Sequence, residues 1–160
     1  MDCHAEKHKH QRVRLEGDFA ILSTMAFEFI ERNGVRYAEI LWAGTFVEKT
    51  TFFSPASSSM QFGLLSHGAG FIEPAHTHHS HDRTVTDMQQ MFVVQRGVVA
   101  VDFFTETGEK FHEVTLHTGD AILLVHGAHA VRALEDMQCI SVKQGPFLGD
   151  LKDKVFLSSP

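Results

Sequence analysis

The stretch MFVVQRGVVAVDFFTETGEKFHEVTLHTGDAILLVHGAHAVRALEDMQCISV, residues 91–142, decides the fold. Apolar runs at Met91–Val94, Val98–Phe104, Phe111–Leu116, Ala121–Val125, Val131–Leu134 and Cys139–Val142 are parted by Gly97, Thr107-Gly108, Thr118-Gly119-Asp120 and Gly127. The glycines fall 11, 11 and 8 residues apart. Short β-prone runs punctuated at that interval are the pattern of an all-β sandwich or barrel. The chain shows no long amphipathic helix, no heptads and no exact internal repeat.

Working outward, Phe27–Ile30 and Val35–Ile40 flank Asn33-Gly34. That dipeptide between apolar runs predicts a hairpin, because both central residues of its turn need positive φ. A helix over Ile21–Ile30 competes, with apolar residues at 21, 22, 25, 26, 29 and 30. Ser54–Ser59 reads as a loop. Residues 1–16 are polar, without hydrophobic period, and are expected to be a flexible arm. Residues 17–160 are expected to form one domain, ending in a loop from Gly145 with at most one short strand at Val155–Leu157.

Composition bounds the rest. The chain has 160 residues, 43% of them hydrophobic and 21% charged, as in an ordinary soluble domain. Fourteen basic against twenty acidic side chains give a net charge of −6, which argues against nonspecific nucleic-acid binding. Cys3 and Cys139 exclude a disulfide scaffold and fit a reducing cytoplasm. No apolar run approaches the roughly 20 residues of a membrane-spanning helix, and the N-terminus lacks a secretory signal's apolar core.

Histidine is the unusual count: twelve in all, four of them within residues 76–81. The segment Gly70-Phe71-Ile72-Glu73-Pro74-Ala75-His76-Thr77-His78 carries the chemistry. In a strand, His76 and His78 project to one side, where two imidazoles can chelate one metal ion. Gln90 opens a second strand that turns at Gly97, and His129 follows a third. Together they would offer three nitrogens and one oxygen from neighbouring strands. His79 is expected to face outward, His81 to lie in a turn, and His126 to sit near the barrel mouth. His67, His112 and His117 read as surface or strand residues. His4, His8 and His10 read as part of a solvated tail. Phe62, Phe71, Phe92 and Phe104 could wall a ligand pocket, or simply pack between sheets.

These residues resemble the cupin superfamily, whose first motif runs G-x5-H-x-H-x3,4-E-x6-G and whose second runs G-x5-P-x-G-x2-H. Gly70, His76, His78 and Gly97 match the first, and Gly119, Asp120, Gly127 and His129 resemble the second, over about residues 67–142. The resemblance implies a jelly-roll barrel, here with an additional N-terminal β segment, often dimeric. It implies a divalent metal (Fe, Mn, Ni or Zn) on His76, His78, Gln90 and His129. The motif glutamate is Gln90 here. Asp82 satisfies the His-x-His-x3-carboxylate spacing and is the alternative oxygen donor. The motif proline is Val125, and the histidine falls one residue early. His76-Thr77-His78, Arg83-Thr84-Val85-Thr86, Gln89-Gln90 and Val142-Lys143-Gln144-Gly145-Pro146 are also similar to a group of small bacterial cupins associated with sugar and surface-polysaccharide proteins.

Three functions follow as expectations. A neutral ligand set would leave the ion's full charge for an anionic chelating molecule, and the protein would act on it as a metal-dependent oxygenase or isomerase. The same site could hold a ligand without turnover, since fold alone does not decide. A metal-independent sugar epimerase would need Tyr37, the single tyrosine, as its acid. Arg83, Arg96 and Arg132 could then assemble around a diphosphate. The expected partners are a small molecule and a second copy of the chain, with no nucleic acid and no membrane. No catalytic residue is assigned.

Overall fold

The computed structural model describes residues 27–157. The expected arm at 1–16, the tail histidines, Cys3 and the uncertain stretch 17–26 lie outside the described residues. Ten strands occupy the rest: β1 (Phe27–Arg32), β2 (Val35–Leu41), β3 (Thr51–Phe52), β4 (Gly63–Leu64), β5 (Gln90–Arg96), β6 (Val99–Phe104), β7 (Lys110–Leu116), β8 (Ala121–Leu124), β9 (Ala128–Ala133) and β10 (Gln138–Lys143). The described helix content is one turn, α1 (Asp150–Asp153), so the protein is all-β. Among the described residues, no helix is long and apolar enough to cross a membrane.

The strands make a five-stranded sheet in the order β1-β2-β8-β5-β10, a three-stranded sheet in the order β7-β6-β9, and a small β3-β4 ribbon. Every pairing is antiparallel. The β1–β2 turn carries Asn33 at φ 52° and Gly34 at φ 77°, as the Asn-Gly pair predicts. The helix alternative fails where it can be seen: Phe27–Ile30 belong to β1, with Ile30 opposite Ala38.

Alternation builds the core. Val99, Val101 and Phe103 face one way from β6 and meet Ala38, Ile40, Val94, Ile122 and Leu124 of the larger sheet. The other face of that sheet carries Met91, Val93, Ala121 and Leu123, covered by Phe62 and Phe27. Phe27 in turn stacks on Phe53 at 3.9 Å. A polar pin holds this cover in place. Ser54 Oγ donates to the buried Glu39 carboxylate and accepts from the Phe62 amide at 2.9 Å. Arg36 supplies the matching charge to Glu39 at 2.9 Å.

One expectation is corrected. The Gly70–His78 segment is not a strand; no regular element lies between β4 and β5. Its backbone pairs with none of the sheet edges, and propensity alone does not make a strand. The C-terminal stretch, expected as a loop with at most one short strand, is a loop that carries one helical turn, α1, and no strand.

Asp120 makes the β7–β8 turn a fixed joint. Its carboxylate accepts from the Ala43 and His117 amides, both at 2.7 Å, while the residue is 5% exposed. Removing it strands two donors in a buried setting. Asp120→Ala is expected to cost about 2–4 kcal/mol, from the usual worth of hydrogen bonds to charged groups. Urea unfolding should show a lower midpoint at an unchanged slope.

Asp102, on the outward face of β6, sits 2.6 Å from both Arg132 Nε and Lys110 Nζ. The Arg132 guanidinium, aided by Lys110, holds the Asp102 carboxyl well below the usual carboxylate range against the cost of its burial. A depressed folded pKa contributes stability above the unfolded value near 3.9 and loses it as pH falls below that value. Asp102→Asn should therefore flatten the acid limb of a melting temperature–pH curve below about pH 4 and leave its shape near neutrality unchanged.

Candidate functional site

The site is built on the end of the sandwich where the chain crosses between sheets. Strand β8 ends at Leu124, and β9 begins at Ala128 in the other sheet. Only Val125, His126 and Gly127 make the crossing. The Val125 and His126 amides both donate to the Tyr37 carbonyl, at 2.9 and 3.2 Å. Gly127 has φ 76°, and a Cβ there would lie 2.5 Å from the Tyr37 ring. The glycine is required twice over, by its backbone and by its neighbour.

This crossing fixes His129. In register it lies opposite Phe103, a fully buried core residue, so its side chain is directed to the space between the sheets. It lies within β9, one strand position further into regular structure than its expected place after a strand end. Gln90 faces the same space from the other sheet. It lies opposite Leu124 on one side and Lys143 on the other, and Leu124 is in the main core. Gln90 Nε2 donates to Ser141 Oγ at 2.9 Å. Since Leu124 and His129 flank the short crossing, Gln90 and His129 stand at the same end of the two sheets.

His76 and His78 lie elsewhere, in the exposed connection between β4 and β5. Their ring centres are 5.1 Å apart, edge to face. The His76 Nδ1 is 2.9 Å from the Pro74 carbonyl, and its Nε2 is 3.7 Å from Glu73. Asp82 is exposed in the same connection. His79 and His81 form a looser pair at 6.2 Å. The chain thus brings together Gln90 with His129, and His76 with His78, as two separate halves. Among the described residues, no group of three or more His, Cys, Asp or Glu is close enough to hold a metal ion. The expected pocket walls disperse likewise. Phe62 covers the outer face, Phe71 is exposed and stacks on His67 at 3.8 Å, and Phe92 packs on the main core.

Two cations were given no part in the site by the sequence reading, which named Lys143 only within a family resemblance. Lys143 shares the inward face with Gln90, and its ammonium lies 4.0 Å over the Phe147 ring. Lys154, paired with Asp150 at 2.7 Å, acts electrostatically on His129. Helix α1 and its flanks therefore reach the same end of the sandwich. Only a folded tail could reveal this, because residues 129 and 154 are far apart in sequence. His126 stands edge to face with Tyr37 at 5.6 Å, beside the crossing.

Comparison with known proteins adds nothing: no protein-family model, no curated protein and no solved structure matches this chain. The class that the fold defines is an all-β protein built on antiparallel sheets.

Desolvation lowers the His129 pKa from its ordinary value, and Lys154 adds to this, against a hydrogen bond to the Gly127 backbone. A lowered histidine pKa means the neutral ring, the form that can ligate, persists to lower pH than in a free imidazole. In an NMR titration, His129 should therefore show a midpoint below about 6.5. Lys154→Ala should raise it by removing the neighbouring charge. An unmoved midpoint would place the C-terminal lysine away from the site.

Proposed function

We propose that this chain is a metal-binding protein of the cupin kind, with a jelly-roll arrangement of its sheets. It would hold or act on a small anionic or sugar-related molecule at the end of the inter-sheet space. Its metal ligands would be His76, His78, His129 and an oxygen from Gln90, with Asp82 as the rival donor.

The observation that carries the reading is the convergence of Gln90 and His129, from opposing sheets, on one end of the core. The spacing of His76 and His78 supports it. Two imidazoles bound to one tetrahedral ion at the usual nitrogen distances have ring centres about 5 Å apart, and theirs are 5.1 Å apart. Gln90 is favoured over Asp82 because a strand holds a ligand more rigidly than an exposed connection does. When bound, a divalent ion supplies Lewis-acid or oxygen-binding chemistry. The chain's own contribution is charge: three imidazoles and an amide add none, and Lys143 and Lys154 favour an anionic group beside them.

A second reading draws on Tyr37 and His126, which form an edge-to-face pair at the same crossing. In a metal-independent sugar epimerase or isomerase they would be the acid and base. Tyr37→Phe separates the two readings, since it should abolish epimerisation and leave metal content unchanged.

Elemental analysis of purified protein should find about one divalent ion per chain. His129→Ala and the double change His76→Ala, His78→Ala should each lower occupancy at least tenfold. Gln90→Glu should tighten binding by placing a negative charge on the cation, and Asp82→Asn should change little. Protein free of metal at neutral pH, or stripped by Asp82→Asn with Gln90→Ala intact, overturns the reading or its fourth ligand respectively.

A further inference from the structure

The two sheets are closed very differently along their two sides. On one side stand the edge strands β1 and β7. They carry Glu28, Glu31 and Arg32, and Lys110 and Glu113, charges of the kind that keep an edge from pairing. On the other side stand β9 and β10, each the last strand of its sheet. Here Val131, Ile140 and Val142 are 39–46% exposed. Val131 lies opposite core residue Val101, so the core itself is open along this seam.

A second unsatisfied element accompanies the open seam. From His67 to Thr86 every residue is exposed. Phe71, Ile72 and Val85 are 54%, 82% and 47% exposed. Connections of more than about 12–15 residues without regular structure are uncommon in compact domains and usually serve a function. This one carries His76 and His78, the half of the candidate site that its own sheets do not meet.

The exposed apolar residues of seam and segment are the surface that a contact between them would cover.

We propose that two copies of this chain exchange the segment 67–86. Each copy lays it along the open β9–β10 seam of the other, as added strand, and so brings its His76 and His78 to the partner's Gln90 and His129. Main-chain pairing supplies affinity, and the apolar residues of segment and seam supply the buried surface. Each metal site is then shared between two chains. The ligand roles rest on the proposed function, while the exchange itself rests on the seam and the segment.

Light scattering on the full-length protein at tens of micromolar should give a dimer, and a monomer overturns the exchange. Replacing residues 69–86 by a Gly-Ser spacer should give a monomer with an unchanged strand signature in circular dichroism, and a persistent dimer overturns it. The third arm co-expresses His129→Ala chains with chains carrying both His76→Ala and His78→Ala. Random pairing makes half the dimers mixed, each with one intact shared site, so zinc content should recover to about one quarter of the wild-type value. No recovery, with wild type binding zinc, means each segment closes on its own sheets and overturns the exchange. A wild-type dimer that the spacer converts to monomer but that binds no zinc keeps the exchange and sinks the metal reading alone.

Discussion

The four residues of β8, Ala121 to Leu124, are all buried, and the whole architecture answers that constraint. A strand apolar on both faces needs cover on both. Ile122 and Leu124 are covered by the three-stranded sheet, and Ala121 and Leu123 by Phe62 and its neighbours. The first cover creates the inter-sheet space that Gln90 and His129 face. The second needs Glu39 buried, and hence Arg36 and Ser54 to satisfy it. An unpaired carboxylate at that depth would be far costlier than the pin is worth, so the pin follows from β8 and not the reverse.

The same strand decides where chemistry is available. Its far end leads straight across to β9, and the crossing is tight because Gly127 packs against Tyr37. That contact sets the start of β9 and therefore which of its residues point inward. A shift of one residue would turn His129 outward and put Ala128 or Ala130 in its place, because side chains alternate along a strand. His129 faces the inter-sheet space by strand register, and the length of the crossing sets that register.

How much of this was legible follows from where each signal lives. The strands from Gln90 to Lys143 show in the sequence because alternation and glycine punctuation are local. Asn33-Gly34 dictates its turn for the same reason. His129 and Gln90 could be placed on neighbouring strands from glycine spacing, and both lie in strands. The strand expected at Gly70–His78 does not form, because strand identity needs a partner edge and nothing local to residues 70–78 names one. Lys154 went unremarked, and Lys143 was not assigned to the site, because the place of Lys154 near His129 depends on how the tail folds back. Separate stretches of sequence do not carry that information.

The asymmetry of the edges bears on how such a site keeps its precision. Ligands on strands inside a core are held within narrow limits by the packing around them, whereas ligands on an exposed connection are not. Gln90 and His129 stand on strands at the rim of the inter-sheet space, and His76 and His78 on an exposed connection. A site made from one rigid half and one added half pays an ordering entropy when it closes, and this lowers its affinity below that of a preformed cage. For the proposed site, the lowered His129 pKa would keep its ring neutral to lower pH than a free imidazole. Under the proposed exchange, affinity would depend on the segment's ordering, and any contact that seats residues 67–86 on the β9–β10 seam would act on the metal through His76 and His78.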